Sequence, residues 1–137
     1  MQPETHIDRI MRSINSPRQF GYENGITLTE LRRDYAKGEL VFGPNSINPH
    51  GNIHGGAIAG MFDTAFGVVA NFTAGENEAT TTDMTISFLR GVEYGMDLEM
   101  TVYIVKAGRS LIRQRAELKD AATGKLLASG SGSWMPL

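Results

Sequence analysis

The 137-residue chain contains no cysteine. That excludes disulfides, a thiol nucleophile and thiolate metal ligands. It also lacks an excess of either charge: 13 Lys plus Arg stand against 15 Asp plus Glu, a formal net charge of -2. Nucleic-acid and membrane-surface proteins usually carry a clear basic surplus, so neither partner is expected. The first twenty residues are broken by Glu4, Asp8, Arg9, Arg12 and Arg18 and hold no apolar segment, so no export signal is expected. The longest apolar run, Ala57 to Ala70, is interrupted by Asp63 and falls short of the ~20 residues that span a bilayer. There is no internal repeat, low-complexity stretch or linker. The expectation is one cytoplasmic domain over 1–137, with 41% hydrophobic residues to build its core.

Hydrophobic spacing divides the chain. Ile7, Ile10, Met11 and Ile14 share one helical face, and Pro3 and Ser16-Pro17 are suitable bounds, which predicts a helix over Pro3–Asn15 within an N-terminal helical segment 1–16. Residues 25–42 read as two strands with a turn at Lys37-Gly38, and 43–53 as loop. One long helix is expected from Gly55 to about Thr73. Four runs of period two follow, around Thr82–Phe88, Leu98–Ile104, Leu111–Leu118 and Lys125–Trp134. Turns at Gly91–Gly95, Gly108-Arg109-Ser110 and Asp120–Gly124 separate them, so neighbours in sequence should pair antiparallel. A helix apolar on nearly all sides beside such a sheet gives an α+β layout, the sheet wrapping the helix. Gly60, Thr64, Gly67 and Asn71 form a small-residue stripe on that helix, read as close packing.

The polar exception lies at and within the long helix. Asn48-Pro49-His50-Gly51-Asn52-Ile53-His54-Gly55-Gly56 leads into it, and Asp63 sits eight positions after Gly55. A carboxylate in an apolar helix is costly to desolvate and should be paired or functional. The helix N-terminus offers free N–H groups and a dipole that favours negative charge, and glycine lets a carbonyl approach the backbone. Asp63 could supply a general base or nucleophile. At ~1.5 Å per residue, however, Gly55 and Asp63 lie about 12 Å apart along the helix. One carbonyl carbon cannot meet both within one chain. Two helices antiparallel across a two-fold axis would bring Asp63 of one chain to Gly55 of the other, so a homodimer is required.

The composite of Asn48, His54-Gly55-Gly56, Asp63 and Thr80-Thr81-Thr82-Asp83-Met84-Thr85-Ile86-Ser87-Phe88 resembles the hotdog-fold acyl-CoA thioesterases, most closely the phenylacetate-degradation thioesterase group, from about Gly43 to the C-terminus. The resemblance implies a hotdog fold, a central helix wrapped by a curved antiparallel sheet, and hydrolysis of an aryl- or short/medium-chain acyl-CoA. It also implies a homotetramer built as a dimer of dimers, with no cofactor beyond the coenzyme A of the substrate. Gly55 would donate its N–H to the thioester carbonyl. Asp63, from the partner chain, would activate water or attack. Asn48 would orient the water or thioester, and His54 would shape the loop and hydrogen-bond near the thioester. Thr81 falls where some relatives have a water- or carboxylate-positioning serine.

Coenzyme A needs a place for its phosphates. Gly56 at the helix start, Arg90, Lys106, the turn Gly108-Arg109-Ser110 and Arg113 are candidates, the turn being favoured because it sets backbone N–H groups beside a cation. Met61, Phe62, Phe66, Phe72, Met84 and Phe88 read either as an acyl pocket or as core. Rival readings stay open: a hotdog dehydratase or hydratase pairing a His with an acid, and a non-catalytic acyl-CoA-binding or regulatory domain. His50, His54 and Asp63 are metal-ligand types, but their spacing puts no two His on one helical face, and no metal is expected.

Overall fold

The computed structural model describes residues 5–14, 16–74 and 79–137. Its helices and strands follow in the order α1 (His6–Ile14), α2 (Phe20–Asn24), β1 (Thr27–Arg32), β2 (Tyr35–Leu40), α3 (Gly55–Ala74), β3 (Ala79–Phe88), β4 (Leu98–Ala107), β5 (Ile112–Asp120) and β6 (Leu126–Pro136). The N-terminal helix thus starts later than expected. Thr5 begins it: the Asp8 N–H donates to the Thr5 hydroxyl oxygen at 3.1 Å, and the Thr5 N–H donates to the Asp8 carboxylate at 3.2 Å. This reciprocal cap satisfies two N-terminal donors. The Thr5 side chain, then its backbone, hold the Asp8 carboxyl below its ordinary value. Pro3 and Asn15, the expected bounds, lie outside the described residues.

α2 was not expected. It docks through Phe20, whose ring fills the notch left by Gly60; a Cβ there would lie 2.8 Å from the ring. The small-residue stripe of α3 is therefore a packing device at that position. At the end of α2, buried Asn24 accepts from the Gly43 N–H at 2.9 Å and the Ser46 hydroxyl at 3.1 Å. The helix so clamps the segment 43–46, which includes a 3-10 turn over Pro44–Ser46.

Six strands form one antiparallel sheet in the order β1-β2-β4-β5-β6-β3. Two expectations are corrected. The β1–β2 hairpin turns at Arg33-Asp34, not at Lys37-Gly38, which lie inside β2 paired with β1 and β4. Gly38 is needed there for close approach: a Cβ would sit 3.1 Å from the Thr27 carbonyl. And β3 does not pair with its successor β4; it pairs with β6, from Ala79↔Pro136 to Phe88↔Ala128. β3 is consequently an edge strand of 10 residues.

α3 lays Ile58, Met61, Phe62, Phe66 and Val69 on the inner sheet face. Phe66 packs against Trp134 of β6, the two rings tilted with centroids 4.9 Å apart. In Ser129-Gly130-Ser131-Gly132-Ser133 the alternation of a strand turns both glycines toward the helix. A Cβ on Gly132 would lie 2.7 Å from the Trp134 ring, and one on Gly130 3.2 Å from Phe62. This is the hotdog layout. By length and composition α3 could cross a membrane, but here its apolar face is the domain core. Its opposite face, through Gly56, Ala59, Gly60, Asp63 and Gly67, is not buried. Asp63 is exposed, against the expectation of a carboxylate enclosed by apolar neighbours.

Candidate active site

The loop before α3 is organised by Asn48. Its Oδ1 accepts from the N–H groups of His50 at 3.0 Å and Asn52 at 3.1 Å. Gly51, at φ 86°, closes the turn by donating its N–H to the Asn48 carbonyl. Only a residue without Cβ adopts that φ freely. The Asn48 carbonyl-type oxygen is thus committed to loop shape, and the amide nitrogen is the atom left for a ligand. Ile53 and His54 are then pinned by backbone bonds to Val92 and Ser46.

His54 caps α3. Its Nδ1 accepts from the Gly56 N–H at 2.8 Å, and its carbonyl accepts from Ala57 and Ile58. An accepting Nδ1 places the neutral ring's proton on Nε2. Gly56, a substrate-binding candidate by sequence, has a role inside the chain: a Cβ there would stand 3.0 Å from His54 Nδ1. With these bonds made, the Gly55 N–H is the first-turn donor with no partner among the described residues. The Phe88 ring, half exposed, lies beside Gly55, and a Cβ on Gly55 would make only ordinary contact with it at 3.6 Å.

Asp63 faces the start of β3 instead. The Thr81 hydroxyl donates to its Oδ1 at 2.6 Å, a short charge-assisted bond. Thr81 precedes a β-bulge between Thr81 and Asp83, a device that re-aims a side chain next to a site. The bond leaves Oδ2 free to act. The two chemical groups are therefore tied to opposite ends of one strand, Asp63 to Thr81 and Gly55 to Phe88.

The coenzyme A candidates also separate. Arg90 follows β3 at the Gly55 end, while Gly108 and Arg109 line a groove at the C-terminal end of α3, beside Thr73 and Ala74.

 The two grooves are distinct: the one at Gly108 and Arg109 has a volume of ≈ 600 Å³, and a separate one of ≈ 780 Å³ flanks His54, Gly56 and Ala57 at the helix N-terminus. Sequence reading missed Arg33, which joins Arg109 in lining the smaller groove because the β1–β2 turn reaches that end of the sheet. Lys106 and Ser110 flank the same turn and are exposed. Arg113 is on the outer sheet face, engaged with Asp83 at 3.5 Å and the Ser133 hydroxyl at 2.6 Å. Met61, Phe62 and Phe66 are fully buried and belong to the core; Phe72 and Met84 are half-buried. Among the described residues no three His, Asp or Glu side chains gather closely enough to hold a metal ion.

The sequence profile of the thioesterase superfamily matches residues 50–126, more than half of the chain. The chain belongs to the thioesterase superfamily. A curated relative of this thioesterase-superfamily chain, human acyl-coenzyme A thioesterase 13, is 26% identical over 125 residues, covering 90% of this chain and 89% of the relative. Among solved structures, the Escherichia coli PaaI protein from the phenylacetic acid degradation operon aligns with a TM-score of 0.83 at 20% identity, over 98% of this chain and 96% of that one. Zebra fish thioesterase superfamily member 2 aligns at 0.85 and 21% identity, over 100% and 99%. A Streptococcus mutans protein bound to acetyl CoA aligns at 0.76 and 18% identity, over 82% and 89%. These structural likenesses support the hotdog fold.

Proposed function

We propose that the protein hydrolyses acyl-CoA thioesters at sites shared by two chains, without metal or added cofactor. The observation that carries this reading is the placement of the two half-sites at opposite ends of β3, an edge strand whose outer side has no partner strand among the described residues. A long edge strand is a template for pairing. If β3 pairs antiparallel with the partner's β3 about a two-fold axis between Met84 and Thr85, Thr81 stands opposite the partner's Phe88. Asp63 then approaches the partner's Gly55, and the isologous contact makes two equivalent sites. The same pairing carries the partner's Arg90 toward the end of the sheet that holds Lys106, Gly108, Arg109, Ser110 and Arg33, reuniting the cations for the coenzyme A phosphates.

In this arrangement the thioester carbonyl oxygen accepts the Gly55 N–H of one chain. The Asp63 carboxylate of the other, steadied by Thr81, takes a proton from water as the water attacks, or attacks the carbonyl itself to give, once the thiolate has left, a mixed anhydride that water then hydrolyses to the free acid and Asp63. The tetrahedral oxyanion collapses and expels the thiolate, which leaves without strong acid help. A preorganised oxyanion donor contributes about 3 kcal/mol to such a step. Asn48 and His54 hold the loop that aims the donor. The names of the relatives support the substrate class, acyl-CoA.

Cross-complementation tests the reading. Gly55→Pro removes the N–H at the first helical position, where proline is tolerated, and Asp63→Asn removes the base. Each homodimer should be inactive. Mixed after unfolding and refolding together, they should regain about a quarter of wild-type thiol release, because one site of each heterodimer is intact. No recovery, with both variants folded, would show that the two groups do not meet across chains.

A further inference from the structure

A groove of ≈ 780 Å³ abuts the helix turn that carries the Gly55 N–H, lined there by His54, Gly56 and Ala57. An acyl group whose carbonyl is held at Gly55 has this groove beside it. An alkyl or simple aryl group would call for an apolar lining. More of this groove's surface is apolar than polar, yet seven of its eleven lining residues carry polar side chains, among them Arg18, Gln19, Glu23, Asn45 and His54, which a simple alkyl or aryl group would leave unused. The buried polar groups of the floor, Asn24 and Ser46, already satisfy each other and the backbone.

Two charged side chains line the groove. Glu23 accepts from the Asn45 amide at 3.4 Å. Arg18 is exposed, has no hydrogen bond or ion pair among the described residues, and stands in the left-handed region at φ 73°. The helix N-terminus adds a dipole of the same sign as Arg18. We infer that the groove accepts an acyl group ending in a carboxylate, with the Arg18 guanidinium as its counter-ion. This rests on the thioesterase reading and adds the acyl class to it.

The test compares matched CoA thioesters: succinyl, glutaryl and adipyl against butyryl, valeryl and hexanoyl. Wild type should show the higher kcat/KM on at least one diacid member. Arg18→Gln, which leaves the backbone requirement unchanged, should lower kcat/KM on that diacid by about tenfold or more, the scale of a charge-assisted hydrogen bond. It should change the alkyl thioesters less than twofold, which also shows that the variant folds. Glu23→Gln should raise activity on the diacid, since it removes the like charge. An alkyl preference in wild type, or an equal effect of Arg18→Gln on both series, overturns the inference while leaving thioester hydrolysis standing. Calorimetry with glutaryl-CoA on the Asp63→Asn variant separates the two readings. Binding to that variant that a further Arg18→Gln abolishes, together with a wild type that releases no thiol from any substrate, would support the groove assignment and sink the hydrolysis. Neither release nor Arg18-dependent binding would sink both.

Discussion

At the start of α3 the polar groups are bound within the chain: Asn48 Oδ1 holds two backbone N–H groups, and His54 holds Gly56, Ala57 and Ile58. Eight positions along the same helix, Asp63 has a single bond, from Thr81, and stands exposed. One half of the proposed site is a rigid backbone donor set by a closed loop. The other is a side chain whose remaining surroundings must come from another chain. The difference teaches where each half is vulnerable: the loop half fails through geometry, the carboxylate half through chemistry.

Asp63→Asn should separate the halves most sharply. Loss of a general base costs about 10³-fold in kcat, while an exposed position predicts a change in stability within about 0.5 kcal/mol; thiol release and thermal melting read the two. Gly55→Pro should lower kcat by about 10²-fold, the scale of one lost oxyanion donor. If it instead raised KM alone, the N–H would be a binding contact rather than a transition-state one. Thr81→Val keeps the shape and removes the hydroxyl, and a drop of about tenfold in kcat follows from a lost bond to a charged acceptor. Thr81→Ser should restore most of it. The smallest effect belongs to the loop: His54→Ala removes the cap and should cost about 1 kcal/mol of stability, measured by urea denaturation. An unchanged urea midpoint in that variant would show that the loop is held by its backbone bonds alone.

Local signals carried much of the fold. The period-two runs of β3 to β6 and the apolar helix beginning at Gly55 fall where the sequence puts them, because those patterns reflect burial of one face. The β1–β2 turn was misplaced because Gly38 looks like a turn residue but serves close strand approach, which depends on a neighbour distant in the pattern. α2 was missed because five residues are too few for a periodic signal, and its place is set by Phe20 meeting Gly60. Arg33 and Arg18 were invisible as groove residues for the same reason: nothing in their immediate sequence says what lies across from them.

The sequence by itself determined the parts: a glycine-rich entry to an apolar helix, one carboxylate within it, and a following strand with a hydroxyl at Thr81. It also determined that Gly55 and Asp63 are too far apart to act together in one chain, since helical rise is fixed by backbone geometry. Only the tertiary structure decided that β3 lies at the sheet edge, beside β6 rather than β4, with Asp63 and Gly55 at its two ends. Strand order depends on which faces can be buried together, a property of the whole chain and not of any segment.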